Sequence, residues 1–177
     1  MTRLALEIVD EGGPSGFADL TLAAVAARAG VAVPSLYKHV DGLPGLRREV
    51  ALACVHELGE AMHRADGLAA MAHTVRAYAR AAPGRYDALQ GTAWVHDPDA
   101  EDVRRASVSL VDDMARAVAH LGVPPDSRID AVRAVRAAVH GFVVLELGGG
   151  FGMPDDVDAS FAFLVDGLVG GLERISV

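Results

Sequence analysis

Apolar residues recur along this chain at three- and four-residue spacing, in runs broken by glycine, proline and aspartate. The first run, Thr2–Glu11, puts Leu4, Leu6, Ile8 and Val9 on an apolar side and stops at Gly12-Gly13-Pro14. A short helix is predicted over 21–29, with Leu22, Val25 and Ala26 on one side and Arg28 on the other. Phe17, in the link before it, plugs the small core of this N-terminal unit. A second short helix follows over 34–39, with Pro34 at its first position and Leu36 alone pointing inward. The spacing then predicts a long helix over 44–65, carrying Leu46, Val50, Ala53, Cys54, Leu58, Ala61 and Met62. In the helix over 68–82, Met71, Val75 and Tyr78 are apolar, and Arg76 and Arg80 lie outside. A shorter one over 85–95 holds Tyr86, Leu89 and Trp94. Three long helices over 100–121, 127–147 and 155–175 close the chain. The fold is therefore all-α, with about nine helices and no convincing strand. The expected organisation is an N-terminal three-helix unit over 1–45 and a larger helical domain over 46–177.

The stretch over 21–40 carries the sharpest chemistry. Thr21 is suited to cap the first short helix, its hydroxyl accepting a free backbone N–H. Gly30 ends that helix, where a left-handed residue costs glycine little. Helix, glycine-containing turn and helix form the pattern of a DNA-binding helix-turn-helix, whose second helix enters the major groove. Ser35, Tyr37, Lys38 and His39 on that helix all reach phosphates or bases, and Lys38 is the only lysine in the chain.

Thr21-Leu22, Val25-Ala26, Ala29-Gly30-Val31, Pro34-Ser35-Leu36-Tyr37 and His39-Val40 resemble, at fixed spacing, the signature of the TetR family of bacterial transcriptional regulators. The resemblance implies a DNA-contact set of Thr21, Val33, Ser35, Tyr37, Lys38 and His39. Within it, Tyr37 and His39 carry over as phosphate contacts, and Val33, Ser35 and Lys38 as contacts to bases or backbone. The family often has a lysine at the start of the next helix. Leu43 stands there in this chain, and Arg47 or Arg48 is the candidate to substitute. Farther along, Ala138-Val139-His140-Gly141-Phe142 and Leu145-Glu146 resemble the C-terminal regulatory domain named for its Trp-His-Gly residues. The tryptophan is missing, with Arg136 near its place, and His140 and Gly141 are read as packing residues.

Composition narrows the function. Net charge is −8, which excludes a broad basic nucleic-acid surface but leaves room for a few local phosphate contacts. Cys54 is the only cysteine, so no intramolecular disulfide forms, and a buried thiol in a reducing cytoplasm is expected. No charged-then-apolar leader and no membrane-spanning apolar run is visible. The seven histidines lack metal-ligand spacing, and His56 and His63 do not form a paired-imidazole motif. Glycines 148–150 follow no strand and form no dinucleotide fingerprint. No nucleophile or carboxylate pair supports an enzyme, and no metal or cofactor is expected.

By resemblance, a small-molecule effector binds among the middle helices. Met62, Met71, Tyr78, Tyr86, Leu89, Trp94, Met114 and Phe142 are the largest side chains available to line its site, and they suit a mostly apolar ligand. The last two helices are apolar over wide arcs and carry Gly141, Gly167, Gly170 and Gly171. They are expected to pair with a second copy as a four-helix bundle. The whole reads as a cytoplasmic, effector-responsive dimeric repressor on a palindromic double-stranded operator. The alternative is a helical small-molecule-binding protein whose DNA-binding unit is weak or vestigial.

Overall fold

The computed structural model describes residues 1–90 and 93–175. Its α-helices are α1 (Thr2–Glu11), α2 (Leu22–Ala29), α3 (Val33–Leu36), α4 (Gly42–His63), α5 (Gly67–Ala81), α6 (Pro83–Leu89), α7 (Ala93–His96), α8 (Glu101–His120), α9 (Arg128–Leu147) and α10 (Val157–Ile175). Among the described residues there is no strand. The fold is all-α, as the periodicity predicts. It has one helical segment more than expected, because the stretch over 85–95 divides into α6 and α7. Gly91 and Thr92, between the two, lie outside the described residues.

The chain forms two compact units. One comprises Met1–Leu58 with Tyr78–Ser107, the other Gly59–Ala77 with Val108–Val177. These units do not divide at residue 45, where the sequence pattern places the boundary. Compactness cuts elsewhere, because α4, α5 and α8 each contribute residues to both units.

The first unit is built around Ala5 and Val9 of α1, Val25 and Ala26 of α2, Leu36 of α3, Leu46, Val50 and Cys54 of α4 and Ala88 of α6, all buried. Leu20 and Val40 join them from the connecting turns. Phe17 packs against this core as expected, and so does Leu43. Close backbone approach makes the glycine at position 84 specific. A Cβ there would stand 2.6 Å from the Gly13 carbonyl oxygen and 2.8 Å from that of Val9.

In the second unit, Met62 and Met71 are buried with Val118, Val132, Val135, Val139, Val143, Phe161 and Val165. Arg76 corrects the expectation of an outward arginine, since only 6% of it is exposed. Its Nε and Nη2 donate to the two oxygens of Glu146 on α9 at 2.7 and 2.6 Å, and Nη2 also reaches Asp158 Oδ1 on α10 at 2.6 Å. The guanidinium lies 4.8 Å from the Phe161 ring centre and 5.7 Å from that of Phe142. A buried cation is tolerable only with such pairing. Val108 of α8 and Ile129 of α9 are apolar but 57% and 50% exposed. Among the described residues no helix is long and apolar enough to cross a membrane.

Candidate nucleic-acid interface

The helix-turn-helix is built as its residues dictate. Thr21 is extended, and its Oγ1 accepts the Ala24 N–H at 3.2 Å, capping α2. Gly30 ends α2 in the left-handed region at φ 68°, where a side chain would be strained. Ala32 is extended and caps α3, and Pro34 sits in its first turn. Helix α3 is shorter than the pattern predicts. The N–H groups of His39 and Val40 both donate to the Leu36 carbonyl, at 2.8 and 3.0 Å. That converging pair ends the helix and turns Val40 into the core, so Tyr37, Lys38 and His39 lie on the turn beyond it.

Burial sorts the predicted contact residues. Ser35, Tyr37, Lys38 and His39 are exposed, Tyr37 by 61%. Among the described residues none of these four side chains has a hydrogen-bond or ionic partner. Val33 is half-buried and packs on the core, and Leu36 is wholly buried. Thr21 is exposed but holds the cap. The motif therefore divides into Val33 and Leu36, which pack, Thr21, which caps, and the exposed Ser35, Tyr37, Lys38 and His39.

The nearby arginines are engaged inside the chain. Arg28 donates to both oxygens of Glu11, Nη1 at 2.8 Å from Oε1, with Glu7 Oε2 at 3.9 Å. The hydrogen bonds hold the Glu11 carboxyl below the usual carboxylate range and raise the Arg28 guanidinium. Arg47 Nη2 donates to the Ala18 carbonyl at 2.7 Å, and its guanidinium lies 5.8 Å from the Phe17 ring centre. Arg48 faces Asp97 at 3.5 Å. Leu43 is a core-packing residue, Arg47 and Arg48 each have a partner within the chain, and among the described residues Lys38 has no hydrogen-bond or ionic partner.

The residues expected to line an effector site fall in both units. Met62, Met71, Met114 and Phe142 belong to the second unit, where the first two are buried and the others half-buried. Phe142 stands 5.0 Å from Phe161 and 4.6 Å from Phe151, ring centre to ring centre. Tyr78, Tyr86, Leu89 and Trp94 belong to the first. There the Tyr78 hydroxyl donates to Glu57 at 3.1 Å, Leu89 packs on the core, and Trp94 meets Phe17 edge-on. Sequence reasoning missed the Arg76 cluster, because its partners lie 70 and 82 positions away. His140 is half-buried, and burial followed by the nearby Arg136 charge lowers its pKa. Among the described residues no group of three His, Cys, Asp or Glu could hold a metal ion.

Comparison with known proteins bears on this arrangement. Residues 68–168 match the family described as the tetracyclin repressor-like C-terminal domain. Over 97% of its length the chain is 32% identical to an HTH-type transcriptional regulator of Mycobacterium tuberculosis, Rv0681, of which it spans 83%. Two solved structures share the fold. The transcriptional regulator SCO7222, a TetR from Streptomyces coelicolor, matches 99% of this chain and 97% of its own at a TM-score of 0.75 and 18% identity. A TetR variant from Acinetobacter baumannii AYE, in complex with minocycline, matches 99% and 96% at a TM-score of 0.70 and 23% identity.

Proposed function

Because this chain belongs to the TetR family of helix-turn-helix transcriptional regulators, we propose that it is an effector-responsive repressor that binds a palindromic operator as a homodimer. The observation that carries the reading is the free edge of the motif: Ser35, Tyr37, Lys38 and His39, exposed together and without internal partners. Tyr37 and His39 hold phosphates, Lys38 and Ser35 reach base edges, and Val33 meets them from the first turn of α3. Thr21 fixes the start of α2. The working domains are the DNA-binding unit over 1–45 and the regulatory domain over 46–177.

Dimerisation is assigned to α9 and α10. Phe163 is 82% exposed and shares a face of α10 with Gly167 and Gly170. On α9, Gly141 shares a face with Val144 and Leu145, which are 49% and 52% exposed. A Cβ built on Gly141 or Gly167 would meet nothing within 4 Å. An apolar face with room for close backbone approach suits a second copy. Two recognition helices then sit about 34 Å apart, one turn of DNA.

The effector is a largely apolar small molecule held in the regulatory domain, with Met62, Met71, Met114 and Phe142 as its first candidate lining. The minocycline complex of the A. baumannii relative supports an effector in this fold. The effector releases the operator by favouring a conformer with the wrong helix spacing, and the shift is bounded by its differential affinity for the two conformers. The protein acts in the cytoplasm and needs no cofactor.

Selection from a randomised DNA pool at two salt concentrations tests the reading. The expected result is a two-fold symmetric site bound by two subunits, with affinity falling as salt rises. Lys38→Ala and Tyr37→Phe should then weaken binding, by about 1–3 kcal/mol where a base contact is lost. Phe163→Glu should shift the protein to monomer in sedimentation. Recovery of no site would favour a helical ligand-binding protein with a vestigial DNA-binding unit. The internal engagement of Arg28, Arg47 and Arg48 supports that second reading.

A further inference from the structure

The edge that faces DNA has few groups able to read bases by hydrogen bonding. The chain contains no asparagine, and its one glutamine, Gln90, lies outside the motif. Bidentate readout of adenine by an amide side chain is therefore closed to the motif. Arginine is the commonest partner of guanine, but the arginines near the motif are committed elsewhere. Arg28 is held by Glu11, Arg47 bonds the Ala18 carbonyl, and Arg48 faces Asp97. Ser35 bonds any base and discriminates weakly. Among the described basic residues near the motif, Lys38 has no internal partner and is the cation placed to select guanine.

Beside these few polar groups runs an apolar edge. Val31 is 43% exposed, Ala32 and Pro34 are exposed, and Val33 is half-buried. They occupy the turn and the first turn of α3, the part of a recognition helix that meets base edges. Pro34 has no N–H and Ala32 no polar side-chain atom, so neither side chain can bond a base edge. In the major groove, the apolar feature a protein can recognise is the C5 methyl group of thymine.

We infer that this protein reads its operator mainly through thymine methyl groups packed against Ala32, Val33 and Pro34, with Lys38 supplying a guanine contact. This rests on the DNA-binding reading above. It predicts half-sites in which the strand position of thymine matters at the step facing α3. A·T and T·A pairs are told apart there by which side of the groove carries the methyl.

The test uses the full chain and the symmetric site recovered by selection. Each thymine of the half-site is replaced in turn by deoxyuridine, which removes the methyl and preserves pairing. At each contacted position binding should weaken about fourfold, the fold-change for one methyl kept from water. Val33→Ala and Pro34→Ala should bind the thymine duplex more weakly and distinguish it less from the uracil duplex. The wild-type comparison alone is sufficient should either variant fold poorly. Equal affinity for thymine and uracil duplexes at every position would overturn the inference while leaving the regulator reading intact. Failure to recover any symmetric site would overturn both.

Discussion

Arg85 on α6 grips Asp10 on α1 with two parallel hydrogen bonds, Nε to Oδ1 at 2.7 Å and Nη2 to Oδ2 at 2.6 Å. Its Nη1 reaches Glu57 Oε2 on α4 at 2.9 Å. One planar guanidinium thus joins three helices of the unit that carries the helix-turn-helix, and the Asp10 bond foremost raises its pKa. Arg85→Ala would leave two carboxylates without their shared cation. Both remain partly in water, which limits the expected loss to about 1–2 kcal/mol in urea unfolding. Arg85→Lys should recover little of it, because an ammonium cannot make the forked contact. Full recovery by lysine would show that charge alone matters here.

Gly84 meets α1 where no side chain fits. A Cβ would stand under 3 Å from the carbonyl oxygens of Gly13 and Val9, and these are backbone atoms that cannot rotate away. Gly84→Ala should therefore cost about 1–3 kcal/mol through overpacking, despite the better helix propensity of alanine. Gly141→Ala, with open space around its Cβ, should leave the stability of the single subunit equal or slightly higher when both substitutions are compared in the Phe163→Glu background. Thermal unfolding of the two variants side by side checks the contrast.

Cys54 is wholly buried, and burial pushes its thiol pKa up to about 11. Only the thiolate alkylates readily. At pH 8, iodoacetamide should leave the folded protein unlabelled and should modify Cys54 only as urea opens the unit. Labelling in native buffer at the rate of a free thiol would show that the core around α4 opens readily.

His140 gives a sign for pH dependence. Burial lowers its folded pKa below the ordinary value of 6.5, so below that value the unfolded chain binds more protons. Stability should be fully present above pH 6.5 and should decline as pH falls through the window below it. His140→Gln should flatten that part of the curve of melting temperature against pH. An unchanged slope in the variant would assign the acid sensitivity to other groups.

Some helix boundaries were legible from local stop signals, although Pro83 and Gly84, which look like a turn in sequence, begin α6. Gly12-Gly13-Pro14 ended α1 where expected, and Thr21 and Gly30 framed α2 through a cap and a left-handed residue that act within four positions. The end of α3 was not legible, because it depends on Val40 entering a core assembled from four other helices. Burial of Arg76 was hidden for a similar reason. In the sequence it sits at an outward spacing on α5, and only the arrival of Glu146 and Asp158 from α9 and α10 makes an inward charge tolerable. Arg47 and Arg48 looked available for phosphate until the fold gave them the Ala18 carbonyl and Asp97.

The sequence by itself determined the all-helical class, the helix-turn-helix and the identity of its free edge. Periodicity, caps and turn residues act over a few positions, and a dense motif at fixed spacing leaves little choice of local structure. Tertiary structure alone decided which cations remain free to meet DNA. Arg28 and Lys38 are both exposed basic residues of the same motif in sequence. Packing α1 beside α2 brings Glu11 onto Arg28, whereas among the described residues Lys38 has no hydrogen-bond or ionic partner. A charge is neutralised by whatever lies within a few ångströms of it. That neighbourhood belongs to the folded chain, not to the order of its residues.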